Sequence, residues 1–171
     1  HTLLNRALAR ESLGKRQDAL ADFNNAIWLN ILPPAEKARA LFDRGVTLDE
    51  LGRTADAIAD YSAALLIEPK HPAALNDRAN AERRLGKLAE AKLDYEASIV
   101  AGNSEKKYPY FGLGEIVVIE GDTATAANDF KAALAEDANY TVAAERLASL
   151  EAVPPVAKLH EPENAPPKAA E

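Results

Sequence analysis

The chain has 171 residues, of which 47% are apolar and 27% are charged, a balance typical of a folded soluble protein. Its formal charge of −7 at pH 7 argues against a nucleic-acid partner, because no excess of basic side chains is present to displace counterions from phosphates. The absence of cysteine excludes disulfides, thiolate metal sites and a cysteine nucleophile, and no run of about 18 apolar residues predicts insertion into a membrane.

Four stretches of the chain share one pattern in the same register. Each contains a glycine, an alanine five residues later, an aromatic residue four positions further on and a small residue three beyond that. The glycines are Gly14, Gly52, Gly86 and Gly121, and the aromatic residues are Phe23, Tyr61, Tyr95 and Phe130. The glycines lie 38, 34 and 35 residues apart. A repeat of this length indicates a solenoid, whose units are stable only when they stack on their neighbours.

Each unit reads as a helix, a turn and a second helix. The four units cover about residues 1–31, 38–71, 72–105 and 107–140. In unit two, Gly52 suits the left-handed conformation that ends a helix, and Pro69 ends the second helix. The extra residues around Pro33 and Pro34 lead us to expect a wide bend or loop after unit one. Because no proline closes unit three, we expect a looser joint between units three and four.

The composition changes after unit four. Residues 141–152 carry apolar side chains at helical spacing and are predicted to form a helix that caps the array, so that the repeat region spans residues 1–152. Residues 153–171 contain five prolines among alternating Lys and Glu, which predicts an extended tail or linker. Because the chain opens at His1 and contains no methionine, we expect it to be a piece of a longer product.

This pattern resembles the tetratricopeptide repeat family. The residues that carry the resemblance are Leu113-Gly114, Ala126, Phe130 and Ala133 in unit four and Gly45, Ala57, Tyr61, Ala64 and Pro69 in unit two. The resemblance implies an all-α, right-handed solenoid of about four helix–turn–helix repeats plus a C-terminal capping helix. Its Asn-Asp-Arg and Ala-Asp-Tyr runs are more similar to bacterial members of the family, which leaves the bacterial cytoplasm and periplasm open as compartments.

A charge pattern recurs with the repeat. Arg6, Arg44 and Arg78 each precede an aspartate by 16 residues, and the aspartates at this phase are Asp22, Asp60, Asp94 and, in unit four, Asp129. Because the aspartates recur in step with the arginines, we predict an Arg–Asp pair that bridges the helices of one unit or of adjacent units. The alternative is a basic stripe that grips an acidic ligand.

The residues that could support chemistry are few. The only histidines are His1, His71 and His160, and none has a second ligand at metal-binding spacing on a shared helix face. No nucleophile elbow, phosphate loop or dinucleotide fingerprint occurs. We therefore predict a protein without catalytic activity, cofactor or bound metal.

The resemblance implies that first helices line a concave groove in which peptides bind. The side chains expected to contact a partner there are Leu8, Phe42, Val46, Asn76, Asn80, Arg83, Tyr108 and Phe111. The two asparagines each carry a donor and an acceptor that could hold an extended backbone. The aromatic residues could hold apolar side chains. For Phe42, Val46 and Phe111, packing against the neighbouring helix is an equally good interpretation.

One subtype of the family clamps the C-terminal carboxylate of chaperones with Lys, Asn and Arg side chains. The matching positions here hold Leu4, Leu8, Asp43, Ala73 and Asp77, so this clamp is absent and its two aspartates would repel a carboxylate. A neutral or basic peptide, or an amphipathic helix, is expected instead.

The sequence therefore favours a non-catalytic protein–protein interaction module that binds a peptide or partner segment in its groove. One alternative is a scaffold that self-associates through Val118 and Ile119. Another is a regulatory segment of a larger enzyme. Tail residues 156–159 could also occupy the groove of their own or a neighbouring chain, since tethering raises the effective concentration.

Overall fold

The computed structural model describes residues 2–29 and 32–152, which form nine α-helices and no strand. The helices are α1 (Thr2–Ser12), α2 (Arg16–Trp28), α3 (Pro34–Glu50), α4 (Thr54–Ile67), α5 (Pro72–Arg84), α6 (Leu88–Val100), α7 (Lys107–Glu120), α8 (Thr123–Glu136) and α9 (Thr141–Glu151). The chain is an all-α solenoid of helical repeats, as predicted. The proline-rich tail, residues 153–171, lies outside the described residues.

The turn inside each unit depends on its glycine. Gly52 has φ of +76°, a left-handed backbone conformation that strains residues with a side chain. Its amide donates to the Asp49 carbonyl at 2.9 Å, and the next amide, of Arg53, donates to the Leu48 carbonyl at 2.9 Å. These bonds satisfy carbonyls at the end of α3 and turn the chain into α4.

Close packing inside the units relies on small residues facing aromatic rings. Tyr61 of α4 is buried against Gly45 of α3, where an added Cβ would lie 2.7 Å from the ring. Phe130 of α8 packs in the same way against Gly114 of α7. In units two and four the aromatic residue therefore fills the space between the two helices of the unit, whereas Tyr95 also packs against Gly112 at the start of unit four.

The stacking of units is asymmetric. The first helices of neighbouring units touch each other, in the pairs α1 with α3, α3 with α5 and α5 with α7. The second helices share no comparable contact and pack on the first helices of their own and the following unit. An array whose units approach more closely on one side curves towards that side, so the first helices line the inner surface.

Part of the joint after unit one, residues 30 and 31, lies outside the described residues. After it, α3 begins at Pro34 and is 17 residues long, so some of the additional residues before unit two extend the helix. Proline suits this first helical position, where no amide donor is required. The joint after unit three is not loose, contrary to our expectation. Asn103 is buried, donates to Ser98 Oγ at 2.9 Å and accepts from the Glu105 amide at 2.9 Å.

The predicted Arg–Asp pairs are confirmed in units one to three. Arg44 donates through Nε and Nη2 to the two carboxylate oxygens of Asp60, each at 2.6 Å. The equivalent two-pronged pairs are Arg6–Asp22 and Arg78–Asp94. Each pair joins the two helices of one unit, so these arginines do not form a basic stripe for an acidic ligand.

The last helix packs on α8 and covers the apolar residues of unit four. Leu147 and Leu150 contact the cluster formed by Val117, Ala126 and Phe130. Arg146 also donates through Nε to Glu115 Oε1 of α7 at 2.6 Å. Helix α9 thus has the position and the one-sided apolar surface expected of a capping element.

Candidate partner-binding groove

The candidate groove is the inner surface of α1, α3, α5 and α7, and at its N-terminal end it contains a small pocket. Leu8, with Leu4, packs beside the buried core of unit one. The same two leucines line a cavity of about 270 Å³ together with Asn5, Glu36, Arg39, Ala40 and Asp43. Leu8 therefore both supports the core and offers apolar surface between units one and two.

Phe42 and Val46 are half-buried residues of α3 that contact the core. The Phe42 ring lies with its centroid 5.9 Å from that of Tyr61 and 4.9 Å from that of His71. Val46 packs against the cluster that includes Leu48 and Tyr61. Much of the surface of each side chain is thus in contact with the core, and only the remaining exposed part is available to a ligand in the groove.

A hydrogen-bonded group occupies the middle of the groove. The Tyr95 hydroxyl donates to Asn80 Oδ1 at 2.6 Å and accepts from Arg83 Nε at 3.4 Å. Tyr95 itself is fully buried on α6, whereas Asn80 and Arg83 are half-buried on α5. Burial raises the pKa of Tyr95, so its hydroxyl keeps its proton and remains a donor. The two predicted groove residues are therefore held in fixed orientations from behind.

Asn76 is less accessible than we expected. Its exposed fraction is 7%, and its amide nitrogen donates to Asp77 Oδ1 at 3.0 Å. Its amide oxygen is buried without a hydrogen-bond partner. Asn76 therefore acts on the groove through Asp77 and does not present an open contact surface of its own.

Tyr108 and Phe111 stand at the C-terminal end of the groove, in contact with the segment before α9. The Tyr140 ring packs edge-on against both, with centroid distances of 5.8 Å to Tyr108 and 5.5 Å to Phe111. Phe111 also contacts the Phe130 ring at 5.5 Å. Tyr108 is the more exposed of the two, at 43%. Lys107 Nζ lies 5.1 Å from the Tyr108 ring centroid and donates to Asp137 at 2.8 Å.

Several groove contacts join different units and do not follow from the repeat pattern. Thr47 Oγ1 of α3 donates to Glu11 Oε1 of α1 at 2.6 Å, and Arg84 of α5 pairs with Asp49 of α3. The predicted site also lacks the Tyr95 hydroxyl, which donates to Asn80. The one feature of the sequence that points to this hydroxyl is that units two and three carry tyrosine where units one and four carry phenylalanine.

Across residues 2–29 and 32–152, no three His, Asp or Glu side chains cluster so as to hold a metal ion. His71 accepts a hydrogen bond at Nδ1 from the Ala74 amide, at 3.1 Å, and so caps the start of α5. None of the helices in these ranges is long and apolar enough to cross a bilayer.

Comparison with known families identifies the repeat. A family model described as tetratricopeptide repeat matches residues 4–74 and 48–106, which together cover more than half of the chain. There is no match among curated protein sequences.

Three solved structures with the same fold are similar to this chain at low identity. The first TPR of Spaghetti (RPAP3), bound to an HSP90 peptide SRMEEVD, is 24% identical, has a TM-score of 0.64, and the match covers 68% of this chain and 92% of that one. A tetratricopeptide repeat protein from Parabacteroides merdae is 21% identical with a TM-score of 0.76, and the match covers 88% of this chain and 58% of that one. MamA is 14% identical with a TM-score of 0.77, and the match covers 87% of this chain and 79% of that one.

Proposed function

The chain belongs to the tetratricopeptide repeat family, and we propose that it acts without catalysis by binding a segment of a protein or peptide partner along the inner surface of its first helices. The observation that carries this proposal is the group formed by Asn80, Arg83 and Tyr95 in the middle of the groove. This group holds an amide and a guanidinium in fixed orientations on a surface that also carries apolar side chains.

The chemistry of this group suits a peptide backbone. Asn80 uses its amide oxygen to accept from Tyr95, which leaves its amide nitrogen as a donor towards a ligand. Arg83 contributes further donors through its terminal nitrogens. Because Tyr95 orients both side chains before binding, less conformational entropy is lost when a partner's carbonyl groups accept these bonds.

Apolar surface lies on both sides of the polar group. Leu8 and the pocket of units one and two lie towards the N-terminus, and Tyr108 and Phe111 lie towards the C-terminus. Phe42, Val46 and Asn76 support the surface between them. An extended segment with apolar side chains at its ends and accessible carbonyls at its centre matches this arrangement.

To test the proposal, a phage-displayed library of random peptides is selected on the whole 171-residue chain. We expect selected peptides to bind the wild type and to lose at least about tenfold in affinity on the double change Asn80→Ala and Arg83→Ala. The matched control is Asn25→Ala with Arg53→Ala, which removes the same residue types from second helices and turns. Equal affinity of wild type and groove variant would refute groove binding, provided both melt at similar temperatures.

A second candidate function is self-association. Ile119, near the end of α7, is 61% exposed, and the neighbouring Val118 is only partly buried against the core of unit four. Light scattering coupled to size-exclusion chromatography distinguishes this function from peptide binding. A dimer that is lost on Ile119→Asp would favour a scaffold, whereas a monomer at all concentrations would exclude it.

A further inference from the structure

Two aspartates occupy the same repeat phase on neighbouring first helices of the groove. Asp43 lies on α3 and Asp77 lies on α5, and these two helices are in contact. Within the described residues, the only ion pair of Asp43 is with Arg39 at 3.6 Å, and that arginine side chain is 70% exposed. Asp77 forms no ion pair in the same ranges and receives one hydrogen bond, from Asn76.

Burial and neighbouring carboxylates raise the pKa of both aspartates, and nearby cations oppose this only in part. Burial raises the pKa of Asp43, and the charge of Glu11 raises it further. Burial likewise raises the pKa of Asp77, with an added contribution from Asp49. The charges that lower the pKa of Asp77 are those of His71 and Arg84, and Arg84 is already paired with Asp49. Asp43 thus has one solvent-exposed cation partner and Asp77 has no ion pair within the described residues, so both carboxylates can accept further donors.

An independent observation points to a missing donor at the same place. The Oδ1 atom of Asn76 is buried and has no hydrogen-bond partner, although buried amide oxygens almost always have one. This side chain is more than nine-tenths buried, and its other end is bonded to Asp77. Two carboxylates thus offer acceptors to a ligand that brings several N–H donors, and the amide bonded to one of them has an oxygen without a partner.

The apolar pocket of the groove adjoins this acceptor set. Asp43 forms part of the wall of the 270 Å³ cavity that Leu4 and Leu8 line. A ligand that pairs with Asp43 would therefore place a neighbouring group over the two leucines. The cavity is large enough for an aliphatic side chain and is open to the groove.

Resting on the proposed function, we propose that the bound segment carries a lysine or arginine whose charged end lies between Asp43 and Asp77, next to an apolar side chain seated over Leu4 and Leu8. A lysine ammonium has three donors and an arginine guanidinium has five, which suits two carboxylates with several acceptor positions. The ligand class is a basic peptide segment, and not an acidic one.

The test uses the random peptide library selected separately on the wild type and on Asp43→Asn with Asp77→Asn. We expect peptides from the wild type to be enriched in Lys or Arg beside an aliphatic residue, and to bind the double variant roughly thirtyfold or more weakly. The matched control, Asp18→Asn with Asp56→Asn, changes the net charge equally on exposed sites outside the groove. It should leave enrichment and affinity unchanged.

The outcomes separate this inference from the proposed function. Peptides that are sensitive to Asn80→Ala and Arg83→Ala but show no basic enrichment would overturn the cation site and leave groove binding intact. Enrichment of Lys or Arg among peptides selected on the variant with Asp43→Asn and Asp77→Asn would also overturn it, because other residues would then bind the positive charge. Failure to select any peptide would overturn both. Free lysine and spermidine, which should not compete with the peptides at equal concentration, test whether a peptide context is required.

Discussion

Arg44 and Asp60 form a two-pronged ion pair across the two helices of unit two, and the same guanidinium reaches the preceding unit. Its Nη1 donates to Asn24 Oδ1 at 2.9 Å. In unit three, Arg78 repeats this arrangement with Asp94 and with Ser62 Oγ at 3.1 Å. Each arginine therefore connects three helices and two units, which helps to set the register of the stack.

Replacing Asp60 by alanine should destabilise the protein strongly. The change leaves the partly buried Arg44 guanidinium without its carboxylate, and we expect a loss of about 3 kcal/mol in the free energy of unfolding. Urea denaturation followed by circular dichroism measures it, and the helical signal of the folded state should persist. Asp56→Ala is the control, because its pair with Arg53 is exposed and should contribute at most about 1 kcal/mol. Equal losses for both variants would argue against a structural role for the Arg44 pair.

Asp129 should respond in the opposite way, although it has the same repeat phase as Asp60. Unit four carries Leu113 where the other units carry arginine, and Asp129 forms no ion pair within the described residues. Burial raises the pKa of this carboxyl. We therefore expect Asp129→Asn to leave the melting temperature unchanged or to increase it, whereas Asp60→Asn should lower it. A decrease of similar size in both variants would contradict this prediction.

Glu82 occupies a core position and should be replaceable with a gain in stability. Its exposed fraction is 8%, one carboxylate oxygen has no partner, and the equivalent positions of units two and four hold the buried Leu48 and Val117. Because replacing buried charge by apolar volume is often stabilising, Glu82→Leu should raise the free energy of unfolding by about 1 kcal/mol or more at neutral pH. Thermal or urea unfolding provides the measurement.

The gain from Glu82→Leu should also depend on pH. Burial raises the pKa of Glu82 in the folded protein, and the charge of Asp94 raises it further. The folded state thus holds this proton more tightly than the unfolded chain, so the contribution of Glu82 to stability falls as the pH rises between the two pKa values. The stabilisation by Glu82→Leu should therefore be larger at about pH 7 than at about pH 4. If the stabilisation by Glu82→Leu became smaller as the pH rose, a buried carboxylate would be excluded as its cause.

Gly112→Ala should weaken the joint between units three and four. An added Cβ on α7 would lie 2.6 Å from both Cε atoms of the buried Tyr95 ring. Alanine favours a helix by about 1 kcal/mol over glycine, so a net loss of stability would show that the overlap outweighs helix propensity. We expect a net loss of about 1–3 kcal/mol. Asn128→Ala, at an exposed position of α8, is the control and should change stability by about 0.5 kcal/mol or less.

Much of the fold follows from residues that recur. The glycine of each turn and the aromatic residue on each second helix repeat in all four units, and the Arg–Asp spacing of 16 residues repeats in three, because each unit has the same local packing requirements. The structure confirms the solenoid and these ion pairs. It also shows that proline does not always mark a loop, since Pro34 begins a helix with an added turn.

The candidate groove depends on contacts that do not recur. Asn80 and Arg83 were identified from their phase on the first helix, but their support by Tyr95 comes from the second helix. The burial of Asn76 and the placing of Asp43 on a helix that contacts the helix of Asp77 likewise depend on how units stack. These features do not follow from the repeated positions, because they depend on helix packing at positions where the four units differ.

The repeat, its family and the side chains that hold each pair of helices together therefore follow from the sequence, since those residues lie close along the chain and are repeated. The tertiary structure is needed to show that Asp43 has only an exposed cation partner, that Asp77 has no ion pair within the described residues and that Tyr95 fixes Asn80 and Arg83. These properties depend on how the helices pack at positions where the four units differ from one another.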